Sequence, residues 1–450
     1  MKYFLSCVCL YFLSLNFSIA QQTDKLLNKD DLLFLENLTK AVLDSSRIKP
    51  GVIISSNFGP NNTGGMLIRP GGKEDYPAFW IRDYAMALET GMIGSKEQRH
   101  MLLLTASTQC DQTWITKNGS MVPYGSIADH IRIDNSLPIY FPGTYDYKEQ
   151  GNKYFGMVPP YCDQFYFIQM AWYYVKMSGD IYILNREING TKLIDRLEIA
   201  FKMPPADLSN QVVYTDSSFR GVDFGFRDGI EITGHLCLPS ILKYRAAQQL
   251  EELFSKLKNK SKANHYTNIA RQIRQALPEV FLDNKGMLRA STGKSNQPDV
   301  WATALAIYYN ILEKDVLKKA CTVLAEAYEN GSLAFKGNIR HVLTRDDYNN
   351  NTAWEMGRME KNRYQNGAYW GTATGWVCYA IAKVNTGKAK ILAKEYIDDL
   401  KENDFRKGNG LGAPYECFYP PDYKQNPLYL ATVACPYSVF KNIFISESRE

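Results

Sequence analysis

The sequence is poor in the motifs on which several enzyme classes depend. Its five histidines show no HxxH or HxxxH spacing, which a catalytic zinc site commonly uses. No Gly-x-Ser-x-Gly motif of a serine hydrolase is present. Residues 408–412 read Gly-Asn-Gly-Leu-Gly, but they follow a predicted helix and so lack the βαβ setting of a dinucleotide loop. We therefore predict no metal site and no cofactor.

Strong charge and paired cysteines are also missing. The net charge of +5 over 450 residues is spread evenly, which is too weak for a nucleic-acid-binding surface. The one basic cluster, at residues 256–262, falls at a polar helix end and is interpreted as a solvated face. Beyond residue 20 there are seven scattered cysteines without a CxxC pair. The odd number excludes a simple disulfide scaffold.

The first twenty residues have the pattern of an export signal. Lys2 is followed by a largely apolar run over residues 3–17, and Ser18-Ile19-Ala20 is a small-x-small cleavage site. The run is shorter than the roughly 20 residues that a membrane span needs, and no later stretch is long and uncharged enough to cross a bilayer. We predict a signal peptide over residues 1–20, one domain over residues 21–450, and a periplasmic or secreted protein.

Aromatic residues are abundant. They make up 13% of the chain, with 30 Tyr and 7 Trp. Proteins bind sugars by stacking aromatic rings on the apolar faces of the sugar and by hydrogen-bonding its hydroxyls. The composition therefore fits an oligosaccharide or polysaccharide ligand, although tyrosine also fills ordinary cores.

Apolar residues recur at helical spacing through most of the chain, beginning with a helix over residues 30–46. Other helices are predicted over residues 95–114 and 180–202. About a dozen helices follow one another in pairs, joined alternately by short and long connections. This pattern predicts an all-α chain folded as an α/α toroid, in which the long connections gather at one end and build a pocket.

Residues 221–234 form the most unusual stretch. They contain three carboxylates, one arginine and four glycines. Glycine lets the backbone approach a ligand closely, and a carboxylate beside aromatic rings and an arginine can have its pKa moved in either direction. Asp223, Asp228 and Glu231 are therefore candidates for a catalytic acid.

A second stretch, residues 413–421, holds one carboxylate, Glu416, among aromatic residues and prolines. A single carboxylate in such a stiff, aromatic loop is a candidate partner for an acid elsewhere in the chain. We hypothesise that this loop and residues 221–234 face each other across a sugar-binding pocket.

Acidic residues also stand at two predicted helix starts. Arg82 and Asp83 begin one helix and Asp163 begins another. An acidic residue there can simply cap the helix and complement its dipole. Alternatively, Asp83 accepts hydrogen bonds from two sugar hydroxyls beside Trp80 as a pocket wall, and Asp163 also binds substrate. The sequence leaves both interpretations open.

Three further aromatic residues are candidates for stacking on a sugar. Trp301 follows Pro298 and Asp299 at a helix start and could wall the pocket. Tyr369 and Trp370 lie among small residues, an arrangement that suits a stacking platform.

The order of these motifs resembles that of the six-hairpin glycosidases, the (α/α)6 toroid superfamily that includes glucoamylases, trehalases, processing α-glucosidases and α-L-rhamnosidases. The resemblance covers most of the chain beyond residue 20 and lies in the order and type of the motifs. The motifs are Trp80-Ile81-Arg82-Asp83, Gly221-Val222-Asp223-Phe224 with Arg227, Gln365-Asn366-Gly367-Ala368-Tyr369-Trp370, and Glu416-Cys417-Phe418.

The resemblance implies roles for several residues. Arg82 and Asp83 match an early Arg-Asp pair that binds the sugar at the cleavage point. Asp223, with Arg227 four residues later, matches the general acid of the trehalase and processing-glucosidase branch. Glu416 matches the general base of that branch.

The implied reaction is hydrolysis with inversion. It requires the two carboxyl groups to stand roughly 6.5 to 9.5 Å apart. The sequence departs from the family in having Val222 before the acid, and it offers Asp228 as a second candidate acid and Glu231 as a third. We expect an exo-acting glycoside hydrolase.

Two other functions use similar features. Polysaccharide lyases share this toroid and abstract a proton with Tyr, His or Lys, for which His130 beside Asp129 is a candidate. An exported sugar-binding protein without catalysis is the third interpretation.

Overall fold

The computed structural model of the chain describes residues 25–72 and 76–446. The predicted signal peptide lies outside the described residues. Twelve α-helices form the frame of this part of the chain. They are α1 (Lys29–Ser46), α2 (Ile81–Ala87), α3 (Ser95–Ser107), α4 (Cys162–Ser178), α5 (Leu193–Lys202), α6 (Cys237–Lys256), α7 (Lys260–Phe281), α8 (Val300–Tyr308), α9 (Lys314–Glu329), α10 (Thr374–Ala382), α11 (Thr386–Glu402) and α12 (Leu430–Ser446).

The even-numbered helices form a closed ring. Each of α2, α4, α6, α8, α10 and α12 contacts the next, and α12 returns to α2. The odd-numbered helices pack around this ring: α1 against α12, α3 and α5 against α4, α7 against α6, and α9 and α11 against α10. This double ring is compatible with a helical toroid.

The two rings differ in sequence as their positions require. Residues 300–307 of the inner helix α8 are all buried, because a helix that is apolar on every side is stable only inside the protein. The outer helix α9 buries a single stripe and presents its lysines to solvent. The buried residues of α9 are Ala320, Cys321, Leu324, Ala325 and Ala327.

Short strands occupy the connections between helices, so the all-α prediction holds for the frame but not for the loops. The described residues contain seven antiparallel sheets, of which six are two-stranded hairpins or pairs and one has the order β3-β6-β7. The strands are β1 (Arg47–Ile48), β2 (Leu67–Ile68), β3 (Ala78–Trp80), β4 (Trp114–Ile115), β5 (Met121–Val122), β6 (His130–Arg132), β7 (Pro138–Ile139), β8 (Glu187–Ile188), β9 (Thr191–Lys192), β10 (Tyr214–Thr215), β11 (Gly234–His235), β12 (Ala334–Phe335), β13 (Asn338–Ile339), β14 (Tyr415–Tyr419) and β15 (Tyr423–Pro427).

Two predicted helices are shorter than expected. The helix predicted over residues 95–114 ends at Ser107, and the one predicted over 180–202 is interrupted by the β8–β9 hairpin before α5. Asn189 and Gly190 turn this hairpin with φ of 48° and 75°. Asn-Gly suits such a turn because both residues tolerate positive φ. The helix prediction over residues 180–202 followed the apolar periodicity and did not take this turn signal into account.

The cysteines and the lengths of the helices complete the description of the fold. All seven cysteines beyond residue 20 are buried and free. Within residues 25–72 and 76–446, no helix combines the length and apolar character that crossing a bilayer requires.

Candidate active site

The loops that precede the inner helices meet at one end of the ring. Tyr429, just before α12, donates a hydrogen bond of 2.6 Å to Asp83 in α2. Arg227, in the loop before α6, donates one of 2.7 Å to Asp299, the N-cap of α8. The predicted site residues from distant parts of the chain are therefore gathered at this end.

Close packing explains one glycine of the 221–234 loop. A Cβ atom on Gly225 would lie 1.5 Å from Nη1 of Arg82, so any larger residue would displace that guanidinium. Arg82 also lies 4.8 Å above the ring of Phe226. The loop is thus shaped to hold Arg82.

Glu416 is a buried carboxyl group that accepts hydrogen bonds from three side chains. It projects from β14 and is only 1% exposed. The Tyr364 hydroxyl donates to its Oε1 at 2.9 Å, and Asn426 Nδ2 and the Tyr76 hydroxyl donate to its Oε2 at 2.6 and 3.4 Å. Burial raises the pKa of Glu416 to about 7, and the charges of Asp83 and Asp228 add to that increase.

Asp228 lies within electrostatic range of Glu416. Its Oδ1 accepts a hydrogen bond of 2.5 Å from Gln365 Nε2, and its side chain is partly exposed. Burial raises the pKa of Asp228 to about 6. The pKa of Tyr364 is raised by burial and then by the charges of Glu416 and Asp228, which indicates that both carboxyl groups lie near this tyrosine.

Asp223 belongs to a different group of side chains. Its Oδ2 accepts a hydrogen bond of 3.3 Å from Arg227 Nη1, and Arg227 also holds Asp299 at 2.7 Å. Asp223 is 3% exposed, and burial raises its pKa to about 6, against the opposing effect of Arg227. The geometry therefore favours Asp228 over Asp223 as the partner of Glu416.

Arg82, Asp83 and Trp80 lie beside Glu416. Arg82 is 3.2 Å from both Asp83 and Asp129, and burial raises the pKa of Asp83 although Arg82 opposes it. Trp80 is partly exposed and stacks on His130 with ring centroids 4.4 Å apart. An exposed part of the Trp80 ring is consistent with the predicted pocket wall.

His130 has no free nitrogen for proton abstraction. Its Nδ1 lies 2.8 Å from Asp129 Oδ2 and its Nε2 lies 2.9 Å from the Thr144 carbonyl oxygen. The ring is also 1% exposed. In this arrangement His130 packs against Trp80. The geometry therefore does not favour His130 as the base of a lyase.

Four residues of the recognised motifs and helix starts lie inside the protein: Asp163, Arg227, Trp301 and Trp370 are all 0% exposed. Trp301 stacks on His341 at 3.9 Å. Both carboxyl oxygens of Asp163 lack a hydrogen-bond partner among the described residues. Burial, followed by the charge of Asp129, raises the pKa of Asp163 well above its usual range. Glu416 and Asp83 are buried to nearly the same extent, so substrate contact by Asp163, Trp301 and Trp370 remains a prediction.

Tyr369 is also mostly buried, with 7% of its surface exposed. It pairs with Phe418 of β14 through two backbone hydrogen bonds of 2.8 and 3.0 Å. Its ring stacks on Tyr419 with centroids 5.6 Å apart. Tyr369 therefore fixes the strand that carries Glu416, and its predicted stacking on a sugar remains a prediction.

Five residues that hold the carboxyl groups were not given roles from the sequence. Gln365 stands in a motif that was recognised, and Tyr364 directly precedes it. The others lie outside the motifs and reach the site only through the fold. The five are Tyr76, Tyr364, Gln365, Asn426 and Tyr429.

Two hollows of the described surface lie away from this cluster. One of about 730 Å³ runs beside α9 and α11, lined by Tyr328, Phe335 and Glu395. The carboxyl groups themselves are closely packed, so a sugar pocket at this end remains a prediction. Across the part of the chain that the structure describes, no group of three or more His, Cys, Asp or Glu side chains is arranged to hold a metal ion.

Comparison with known proteins shows the fold. The architecture is similar to that of a solved glycosidase structure, with a TM-score of 0.53 and 12% sequence identity. That structure is a rhamnosidase from Klebsiella oxytoca with rhamnose bound, and the match covers 95% of this chain and 65% of that one. The chain thus spans less than two thirds of that protein. No protein-family model matches, and no curated protein is similar in sequence.

Proposed function

We propose that the protein is a glycoside hydrolase of the six-hairpin type and that its double ring of helices is an (α/α)6 toroid. The observation that carries this proposal is the pair of carboxyl groups, Glu416 and Asp228, with pKa values of about 7 and about 6. Glycoside hydrolases use two carboxyl groups, of which one acts as general acid and the other as base or nucleophile. The fold shared with a rhamnosidase supports this class.

Hydrogen bonding supports one assignment of the two roles, with Glu416 as the general base and Asp228 as the general acid. Both oxygens of Glu416 accept hydrogen bonds from hydroxyl or amide donors, and such donors stabilise a carboxylate. Asp228 accepts its hydrogen bond on Oδ1, which leaves Oδ2 to carry a proton. The pKa of Glu416 is about 7 even after the Asn426 and Tyr364 donors have lowered it, and that of Asp228 is about 6. The proposed reaction therefore uses the less populated state in which Glu416 is ionised as the general base and Asp228 is protonated as the general acid.

In the proposed reaction, Asp228 gives its proton to the glycosidic oxygen as the bond from that oxygen to the anomeric carbon breaks. Glu416 takes a proton from a water molecule, whose oxygen attacks the anomeric carbon from the opposite face. The products are an alcohol and a sugar of inverted anomeric configuration. Trp80 would stack on the sugar and Asp83 would accept hydrogen bonds from its hydroxyls.

The proposal includes exo action on an oligosaccharide by an exported enzyme. The long connections at one end of the ring favour a closed pocket, and residues 1–20 favour export. N-terminal sequencing of the mature protein tests cleavage after Ala20. An intact Met1 on the exported protein would contradict it.

Proton NMR of the products from a panel of plant and microbial oligosaccharides tests the reaction. Wild type should release a sugar of inverted configuration, and Glu416→Gln should release none. As a control, Glu231→Gln changes a carboxylate of the 221–234 loop that is neither the proposed acid nor the proposed base. This variant should retain activity. Retained configuration, or equal activity of Glu416→Gln and wild type, would contradict the proposal, and unsaturated products would identify a lyase.

A further inference from the structure

The other end of the helix ring, where the inner helices finish, contains a second cavity. Its volume is about 570 Å³, within the range of small-molecule sites. It lies among residues that follow α2 and those near the ends of α4, α8 and α12. The lining that matters for its chemistry is Glu89, Lys176, Arg245, Gln248, Tyr309 and Asn442.

Arg245 is a cation of this cavity for which the described residues provide no carboxylate within 4.0 Å, although it lies within electrostatic range of Glu89. Its guanidinium lies 5.0 Å from the ring centre of Trp172 and 5.6 Å from that of Tyr309. Its Nε is buried and has no hydrogen-bond partner among the described residues. Nη1 makes one long hydrogen bond of 3.4 Å to Gln248. The two rings fix the guanidinium plane, so its donors are oriented in advance.

The ordinary role of a cation at a helix end does not account for Arg245. Lys176 stands in the last turn of α4, where it complements the helix dipole. Arg245 lies near the middle of α6, more than two turns before Lys256 ends that helix. Arg245 is partly exposed at the cavity, and it neither ends its helix nor makes an ion pair with a carboxylate, so its guanidinium donors are available to a ligand.

Glu89 faces the same cavity without pairing with these cations. Burial raises its pKa, and the charges of Arg245 and Lys176 oppose that rise, so the three groups sense one another. Among the described residues, Arg245 and Lys176 act on Glu89 through their charges, without a hydrogen bond to its side chain. The spacing leaves room for a ligand between the carboxylate and the two cations.

The charges and amides of the lining define the ligand. Arg274 is neutralised by its ion pair with Glu313. The remaining charged residues of the lining, Lys176, Arg245 and Glu89, therefore carry a net charge of +1. An excess cation favours an anion, and Arg245 has the geometry to bind a carboxylate. Glu89, Gln248 and Asn442 offer oxygens and amide donors that suit hydroxyl groups.

We propose that this cavity is a second binding site, which takes a sugar acid: a monosaccharide whose carboxylate lies on Arg245 and Lys176 and whose hydroxyls contact Glu89 and the amides. The site is separate from Glu416 and Asp228, and no bond is made or broken in it. This inference goes beyond the proposed hydrolysis and does not depend on it.

Isothermal calorimetry and ligand-observed NMR with the full chain test the site, with galacturonate and glucuronate as probes and glucose as the matched neutral sugar. At least one uronate should bind, and glucose should bind more weakly by about tenfold or more. Arg245→Gln should weaken uronate binding by a similar factor. Arg271→Gln removes an exposed arginine of the neighbouring helix α7 and should leave the affinity unchanged.

Two further variants keep the test decisive. Lys176→Gln changes an exposed side chain at the rim, so it should fold normally and weaken uronate binding by about threefold. Glu416→Gln should bind uronate as wild type does, whether or not the proposed hydrolysis is correct. Equal affinity for glucose and uronate, no uronate binding, or loss of binding in Glu416→Gln would overturn the second site.

Discussion

The loop of residues 221–234 carries two aspartates, Asp228 and Asp223, which lie in neighbouring regions and have different hydrogen-bond partners. In the first region, Asp228 and Glu416 are held by hydroxyl and amide donors and lie within electrostatic range of each other. In the second, Asp223 and Asp299 are held by the guanidinium of Arg227. Neutral donors leave a carboxyl group able to gain or lose a proton, whereas a permanent cation favours a fixed charge.

The comparison shows that a raised pKa does not by itself identify a catalytic acid. Burial raises the pKa of both Asp223 and Asp228 to about 6. Only Asp228 lies partly exposed and acts on Glu416. Accessibility and partner distinguish the two regions, and the following predictions test that distinction.

Replacing the proposed base should have the largest effect. Glu416→Gln keeps the shape of the side chain but cannot take a proton from water, so kcat should fall by about 10³-fold. The thermal transition should change little, because the amide can still accept hydrogen bonds from Tyr364. Steady-state kinetics and circular dichroism measure the two. Loss of activity together with loss of the folded state would assign Glu416 to structure instead.

Removing the cation of the second region should destabilise the fold. Arg227→Met leaves Asp223 and Asp299 buried without their partner, and the expected cost is about 3 to 5 kcal/mol in the free energy of unfolding. Urea unfolding measures this cost. Arg274→Met breaks the exposed pair with Glu313 and should cost at most about 1 kcal/mol. Similar costs for both variants would mean that the buried network does not stabilise the chain.

Matched amide variants in the 221–234 loop compare the two regions directly. Asp228→Asn removes the proposed acid and should lower kcat by about 10²-fold. Asp223→Asn should act mainly on stability, by about 1 to 3 kcal/mol, because it weakens a hydrogen bond to a buried guanidinium. Steady-state kinetics measure kcat of both variants, and urea unfolding measures their free energy of unfolding. A loss of kcat for Asp223→Asn with unchanged stability would return the acid role to Asp223.

The pKa of Glu416 predicts how stability depends on pH. It rises from 4.5 to about 7 on folding, so the folded chain binds this proton more tightly. The contribution is therefore fully present below pH 4.5 and is lost as pH rises through about 7, by about 3 kcal/mol in total. Urea unfolding across this range should show a steeper decline for wild type than for Glu416→Gln. Parallel curves would contradict the raised pKa.

The smallest expected effect concerns one donor to the base. Tyr364→Phe removes the hydrogen bond of 2.9 Å to Glu416 and should raise the pKa of the base further. Activity requires Glu416 ionised and Asp228 protonated, so wild type should show a narrow optimum between about pH 6 and 7. Because the pKa of the base lies above that of the acid, the variant should shift the basic limb upward, leave the acidic limb in place and lower kcat by about tenfold. An unshifted basic limb would mean that Tyr364 does not act on the base.

Local sequence predicted most helices because their apolar periodicity agrees with their final environment. The prediction over residues 30–46 matches α1 within one residue. The prediction over 180–202 was wrong in its first half, because the turn chemistry of Asn189-Gly190 outweighs the helical pattern there. Residues 415–419, predicted as a loop, form β14 through pairing with residues that follow them.

The candidate site was predictable to a similar degree. The sequence named Glu416, Asp83 and Trp80, and it named Asp228 as the second candidate acid after Asp223. The fold brings these residues to one end of the ring, and their roles remain predictions. Burial was not predictable: Trp301 and Trp370, proposed as stacking residues, are 0% exposed, and their contact with a sugar remains a prediction. An aromatic residue near a loop looks the same in sequence whether its ring faces a ligand or the core.

The sequence by itself determined which residues carry carboxyl groups among aromatic rings, and which segments are helical, because composition and periodicity are local properties. Only the tertiary structure decided that Arg227 pairs with Asp223 and Asp299 while Tyr364, Gln365 and Asn426 hold the other two carboxyl groups. Those partners come from distant parts of the chain. The pKa and the accessibility of a side chain depend on its neighbours in space, and closure of the helix ring sets them.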